Sequence, residues 1–399
     1  MAIDLDRARR DTPGVQHVNH MNNAGAALMP EPVRRAVVDH LDREATIGGY
    51  EAADAAEEAL EHGVYRAIAT LIGADPSEIA VIENATRAWD MAFYGVPLQA
   101  GDRILTAEAE YSSNVIAFFH QAQRRGAVVE TVPSDETGQV DLKALARALD
   151  GRKRKGRVAL VAMTHIPTNG GLVNPAAEIG RLTRAADVPY LLDACQSVGQ
   201  LPVDVAAIGC DMLSATGRKF LRGPRGTGFL FVRRDFLERI DPPFLDNHAA
   251  TWIAPHRYAL RPDARRFENW ESYVAGKLGL LAAVEYALGW GIEPIHDRTR
   301  MLAGRIRDGL AGVRGARVLD IGRERCGIVS FSLAGRPAEA VQQALAARRI
   351  NTTVSTVFGT RWDMERRGLD RLVRASPHYY NSEDEVDALL AEVARIAAG

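Results

Sequence analysis

Two short segments hold side chains whose chemistry depends on where they sit. The run VPYLLDACQ ends an apolar stretch on Asp193 and carries Gln196 three residues later. DMLSATGRKFLRGPRGTGFLFV places Thr216, Arg218 and Lys219 between an apolar run and a turn rich in glycine and proline. A carboxylate at a strand end opens toward a site, but taken alone it is more commonly a helix cap or an ion-pair partner. A single lysine taken alone is a solvated surface charge. The segment ENATRAWDMAF follows another apolar run, EIAVI, which puts Ala85 and Thr86 at a helix start. Free backbone N–H groups there suit a phosphate, and the bland alternative is a threonine cap. Gly223, Gly226 and Gly228 lack the G-x-G-x-x-G spacing and precede a strand, so no nucleotide site is read there. His17 and His20 have a metal-like spacing without further ligands and are read as structural.

The elements that must position these groups alternate. Apolar, β-branched runs at 78–82, 102–107, 127–132, 157–163, 188–193 and 227–232 are separated by helical patterns at 51–72, 113–125, 141–149 and 175–186. Asp141 and Asn174 are the expected N-caps of the last two. That alternation implies an α/β fold with a parallel, helix-covered sheet, whose ligands bind beyond the carboxyl ends of the strands. After residue 242 the texture becomes loop-rich, followed by a long helix near 272–290. Helices at 297–311, at 337–348 and from Ser382, with strands near 316–320 and 327–333, suit a small α+β unit. The expected organisation is an N-terminal arm (1–25), a large α/β domain (26–245), a connector with its helix (246–291) and a small C-terminal domain (292–399).

Bulk properties exclude several function classes. With 49 Lys plus Arg against 51 Asp plus Glu, the formal charge of -2 gives no global attraction to nucleic acid or an anionic membrane. No window is long and apolar enough to span a bilayer, and the charged beginning MAIDLDRARRDTPG gives no secretory pattern, so a cytoplasmic protein is expected. Cys195, Cys210 and Cys326 show neither paired metal spacing nor an even count and are read as small core residues.

Together, Asp-x-x-Gln and Ser-x-Thr-x-Arg-Lys resemble the class V branch of fold-type I pyridoxal 5'-phosphate (PLP) enzymes, the aminotransferase and cysteine desulfurase-like family, over nearly the whole chain. The resemblance implies a large, mainly parallel sheet domain plus a small α+β domain, and a homodimer with sites at the subunit interface. It implies that Lys219 carries PLP as a Schiff base and acts as general base, that Asp193 holds the pyridine nitrogen, and that Gln196 touches the phenolic oxygen. Ala85, Thr86, Thr216 and Arg218 would cradle the phosphate, Arg218 standing where the family more often has His. Tyr111, in AEAEYSSNVIAFF, would stack on the ring, and Asn169, in THIPTNGG, would lie near the phenolic oxygen and the substrate. In LVRASPHYYNSEDEV, Arg374 would pair with the α-carboxylate of a small amino-acid substrate, and Asn23 and Tyr50 would contact the site mouth.

The reaction branch is less determined by these residues. Desulfurases of the family use a cysteine shortly before the carboxylate-binding arginine, and INTTVSTVFGTRWDMERRGLDRL contains none. GGYEAA and RFENWES look like segments of the ergothioneine-type C–S lyases. The expectation is therefore β-elimination from an S-substituted cysteine or its sulfoxide, giving pyruvate and ammonia. A class V aminotransferase is the alternative, ahead of a persulfide-forming desulfurase, an epimerase or a non-catalytic regulator.

Overall fold

The computed structural model describes residues 3–150 and 155–399. The six apolar runs, with Met212–Thr216 in addition, form seven strands: β1 (Ile79–Ile82), β2 (Arg103–Ala107), β3 (Val128–Val132), β4 (Val158–Thr164), β5 (Tyr190–Asp193), β6 (Met212–Thr216) and β7 (Gly228–Val232). They hydrogen-bond in the order β1-β7-β6-β5-β4-β2-β3. Every residue of β4, β5, β6 and β7 is buried, as befits strands covered on both faces.

The sheet is mainly parallel, as expected, and one strand runs the other way: β7 is antiparallel to both β1 and β6. The reason lies in the connection. The link from Thr216 to Gly228 is a short glycine- and proline-rich turn with no crossover helix, and a parallel return requires a crossover.

Six helices bear on the site: α1 (Glu31–Ile47), α2 (Ala85–Gly95), α3 (Ser112–Arg125), α4 (Val274–Trp290), α5 (Ile292–Ala311) and α6 (Glu383–Ala398). The expected helix over 51–72 is three pieces, Gly49–Asp54, a π turn at Ala59–Gly63 and Val64–Ile72. Asp141 caps Leu142–Leu149 through Lys143 N and Ala144 N. Asn174 does not cap the next helix: its side chain bridges Val140 N at 3.2 Å and Thr164 O at 2.8 Å. The loop-rich stretch after 242 contains a hairpin, β8 (Ala250–Ala254) with β9 (Arg257–Leu260).

A second, antiparallel sheet holds β10 (Ala316–Val318), β11 (Val329–Leu333), β12 (Thr353–Thr356) and β13 (Arg371–Ala375) in the order β10-β11-β13-β12. Its core joins Leu302 and Ile306 of α5, Phe331, Val373, and Val386 and Leu389 of α6. The N-terminal arm clamps this unit onto the large sheet. Asn19–His20 pairs in parallel with Ile350–Asn351, and Asn22 bridges Ser376. No single helix among the described residues is long and apolar enough to cross a membrane.

Candidate active site

The carboxyl ends of the parallel strands converge. β5 ends on Asp193, β6 leads to Lys219, β2 to Glu110 and Tyr111, β4 to Asn169, and β1 to the start of α2. Asp193 is 5% exposed, and its Oδ1 accepts the Cys195 backbone N–H at 2.9 Å. Its Oδ2 accepts one amide hydrogen of Asn114 at 3.0 Å. Asn114 also donates to Glu110 Oε1 at 2.9 Å. Glu110 is buried and further accepts from Tyr111 N, Thr106 Oγ1, Thr164 N and Thr164 Oγ1. Burial raises its carboxyl to about 7, with the charge of Asp193 adding to the shift and the hydrogen bonds opposing it.

Burial holds the Lys219 amine below its ordinary value. The neighbouring Cys195 and Asp193 oppose that shift, and the cations of Arg218 and Arg374 add to it. A larger neutral fraction makes the amine a better nucleophile and base. At the head of α2, Asn84 Oδ1 accepts Arg87 N, which leaves the N–H groups of Ala85 and Thr86 as the unmatched donors of a helix start. Thr216 closes the opposite wall, with Oγ1 3.4 Å from Thr227 O. Gly228 is required between them, since a Cβ there would lie 2.5 Å from Ala215 O and 3.1 Å from Ala85 N. Arg218 reaches the Gly25 carbonyl, and burial lowers its guanidinium.

Arg374 is 6% exposed. Its Nη1 donates to Thr168 O at 2.8 Å and Thr168 Oγ1 at 3.0 Å, and its Nη2 to Asn22 Oδ1 at 3.2 Å. Its Nε is buried without a partner. Burial and then Arg218 lower it to about 10, so it stays a cation at neutral pH.

Several expectations shift by a residue or a face. Asn22, not Asn23, meets Arg374. Asn23 is fully buried and ties His20 O, Ser376 O and the Tyr380 hydroxyl together. Asn169 turns its amide to the small domain, donating to Thr356 O, Thr360 Oγ1 and Met364 Sδ. Tyr50 is 75% exposed in a groove of about 720 Å³ whose walls include Asn269 and Glu271 but neither Lys219 nor Arg374. Gln196 donates to Ala24 O at 3.1 Å, leaving Oε1 buried and unpaired. His165 binds Ser197 Oγ at 2.8 Å and is lowered to about 4 by burial, a neutral structural histidine. His20 is likewise structural, with Nε2 on Ala26 O and Nδ1 on Asn351. Glu110, Asn114, Asn22 and Thr168 are the site residues the sequence reading missed. Glu110 and Asn114 had a signal, since they flank Tyr111 in the Glu-aromatic-x-x-Asn pattern of the segment AEAEYSSNVIAFF.

This donor set fits PLP. A buried Asp193 carboxylate oriented by Asn114 and Cys195 N, a depressed lysine, a helix start walled by Thr216 and Gly228, and orphaned polar atoms on Gln196 and Arg374 lie at one sheet edge. Bound there, PLP supplies an aldehyde that links to an amine and a ring that draws electrons from Cα.

Fold and site define a fold-type I PLP-dependent enzyme. The profile of the family described as Aminotransferase class-V matches residues 20–389, and the chain belongs to that family. A probable cysteine desulfurase of Pyrococcus abyssi is 28% identical over 96% of this chain and 95% of its own length. Probable cysteine desulfurase 2 of Mycobacterium leprae is 30% identical over 98% and 96%. Among solved structures, the apo cysteine desulfurase of Thermococcus onnurineus superposes with a TM-score of 0.92 at 25% identity, covering 100% of this chain and 99% of that one. The cystine C–S lyase C-DES, solved with its reaction product cysteine persulfide, gives a TM-score of 0.84 at 25% identity, covering 96% and 99%.

These relatives overturn the expected β-eliminating C–S lyase and its aminotransferase alternative, because the full-length curated relatives are named cysteine desulfurases. That expectation rests on the absence of a cysteine from residues 350–372 and on the segments around Tyr50 and Glu271. Those segments wall a groove of their own and do not join Lys219 and Arg374.

Proposed function

We propose that this enzyme is a cysteine desulfurase, which takes L-cysteine and releases it as L-alanine once its sulfur has been transferred. The observation that carries the reading is the placement of Lys219 beside both Asp193 and Arg374 at the carboxyl edge of the sheet. Arg374, with Thr168 and Asn22 steadying its guanidinium, holds the α-carboxylate. Lys219, its charge suppressed by burial, takes and returns the Cα proton. Asp193 would hold the pyridine nitrogen in its protonated form. The helix start at Ala85 and Thr86, with Thr216 and Arg218, would hold the phosphate of PLP, and Tyr111 would stack on its ring. The full-length relatives named cysteine desulfurases support the same chemistry.

The test is to incubate the PLP-loaded protein with L-cysteine and a thiol and to measure L-alanine. Alanine without pyruvate is expected, and it is lost in Lys219→Ala. Pyruvate and ammonia as the products would overturn the reading.

A homodimer is part of this proposal. Trp252 and Tyr258, paired across the β8–β9 hairpin, are 79% and 61% exposed, and Phe244 and Trp270 add to the exposed apolar surface. Two copies related by a twofold would cover such a face. Sedimentation of Trp252→Glu against the parent protein tests it, with a shift toward monomer expected.

A further inference from the structure

Moving sulfur off cysteine requires a thiolate that attacks it, and the chain has three cysteines. Cys210 is 1% exposed and lies before the amino end of β6, whereas Lys219 follows its carboxyl end. The five residues of β6 alone hold the two apart by roughly 16 Å at ~3.3 Å per residue. Cys326 is 3% exposed, its Sγ accepts Ile328 N at 3.4 Å, and its carbonyl is bound by Arg307. Burial pushes its thiol up to about 12. Cys195 is only partly buried and lies near Lys219, but it belongs to the Asp193 turn, its N–H on Asp193 Oδ1. The bond from its own N–H to Asp193 Oδ1 fixes Cys195 in that turn, and burial and then the carboxylate raise its thiol above the ordinary value.

The segment lying against the site from the small domain offers no substitute. Asn169 pins it at Thr356 O (3.1 Å), Thr360 Oγ1 (3.0 Å) and Met364 Sδ (2.8 Å). A carbonyl, a hydroxyl and a thioether cannot carry away a persulfide sulfur.

We infer that the sulfur acceptor is a low-molecular-weight thiol that enters the site from solution. This rests on the reading of the enzyme as a cysteine desulfurase. In the step, the acceptor thiolate forms an S–S bond to the cysteine sulfur, and the Cβ–S bond breaks with its electron pair left on carbon. Cβ takes a proton, so L-cysteine and R–SH become L-alanine and R–S–SH, with no other oxidant or reductant. A small acceptor fits better than a protein cysteine, because Asp193, Asn169 and Arg374 are 5%, 8% and 6% exposed and the covering segment is bonded to Asn169. In the cystine C–S lyase relative the product that carries the sulfur is likewise a small molecule, cysteine persulfide.

The experiment uses the PLP-loaded protein, a fixed low concentration of L-cysteine and 2-mercaptoethanol as the acceptor. The initial rate of alanine formation should rise with 2-mercaptoethanol by about tenfold before it saturates. Intact-protein mass spectrometry after cysteine alone should show no sulfur added to the chain. Alanine formation by Cys195→Ser should still rise with 2-mercaptoethanol. A burst of alanine equal to the enzyme without added thiol, with an alkylatable persulfide on any of the three cysteines, would overturn the inference. So would indifference to 2-mercaptoethanol combined with acceleration by a protein bearing an accessible cysteine. Absence of alanine under every condition, or pyruvate in its place, would instead remove the desulfurase reading on which the inference stands.

Discussion

Glu110 and Asp193 share one amide: Asn114 donates to Glu110 Oε1 at 2.9 Å and to Asp193 Oδ2 at 3.0 Å. Two buried carboxylates are thereby linked through the two hydrogens of a single nitrogen, and the orientation of Asp193 follows from that of Glu110. The same Glu110 also accepts the backbone N–H of Tyr111 at 2.9 Å, so one carboxyl group sets both the Asp193 and the Tyr111 sides of the site.

Removing the shared amide should therefore loosen the cofactor. In Asn114→Ala, PLP affinity by equilibrium dialysis is expected to fall by about tenfold to a hundredfold, the size of a lost hydrogen bond to a charged group. The absorption of the bound cofactor should shift as well. Unchanged affinity and spectrum would separate Asn114 from the function of Asp193.

Glu110 also makes a prediction about stability and pH. Its folded-state carboxyl lies at about 7 against an ordinary value of 4.5, so between those two values the folded protein holds a proton that the unfolded chain has lost. The stability of the apoprotein should fall as pH rises through this window and level off above it, with this group contributing about 3 kcal/mol. Urea midpoints between pH 4.5 and 7.5 check the slope, which Glu110→Gln should flatten whatever that variant costs in absolute stability.

Arg374 should govern substrate binding more than turnover. Lysine cannot reproduce the forked guanidinium contacts to Thr168 and Asn22 while also meeting a carboxylate. For Arg374→Lys a rise in KM for L-cysteine of about a hundredfold is expected, with a smaller change in kcat. A fall in kcat at constant KM would place Arg374 elsewhere in the reaction.

Arg222 anchors the turn that carries Lys219. It is 2% exposed at φ 63°, and it donates to Leu28 O at 2.9 Å, Tyr379 Oη at 2.6 Å and Thr12 Oγ1 at 2.6 Å. Its guanidinium also lies 4.3 Å from the Tyr380 ring. Arg222→Met strands those acceptors and should cost about 3 kcal/mol, read from the urea midpoint. Arg222→Lys should recover only part of it, because an ammonium cannot reach three separate acceptors and the ring face together.

What the sequence determined by itself was local. Each of the six apolar runs read as strands is a strand of the large sheet within about two residues, because strand endings depend on nearby turn chemistry. Asp193 and Lys219 were legible through the Asp-x-x-Gln and Ser-x-Thr-x-Arg-Lys pairing and the family it resembles, since a strand-end carboxylate or a single lysine is by itself an ordinary cap or surface charge. Tertiary structure decided the rest. Adjacent residues of an extended chain point to opposite sides, so only the bridge from Asn22 to Ser376 determines that Asn22 meets Arg374 while Asn23 is buried. The antiparallel course of β7 depended on a connection too short for a crossover. Asn169 belongs to the small domain's contacts because chain almost two hundred residues away folds over it. The near-neutral carboxyl of Glu110 arises from burial, a property of the packed molecule that no spacing of residues along the chain contains.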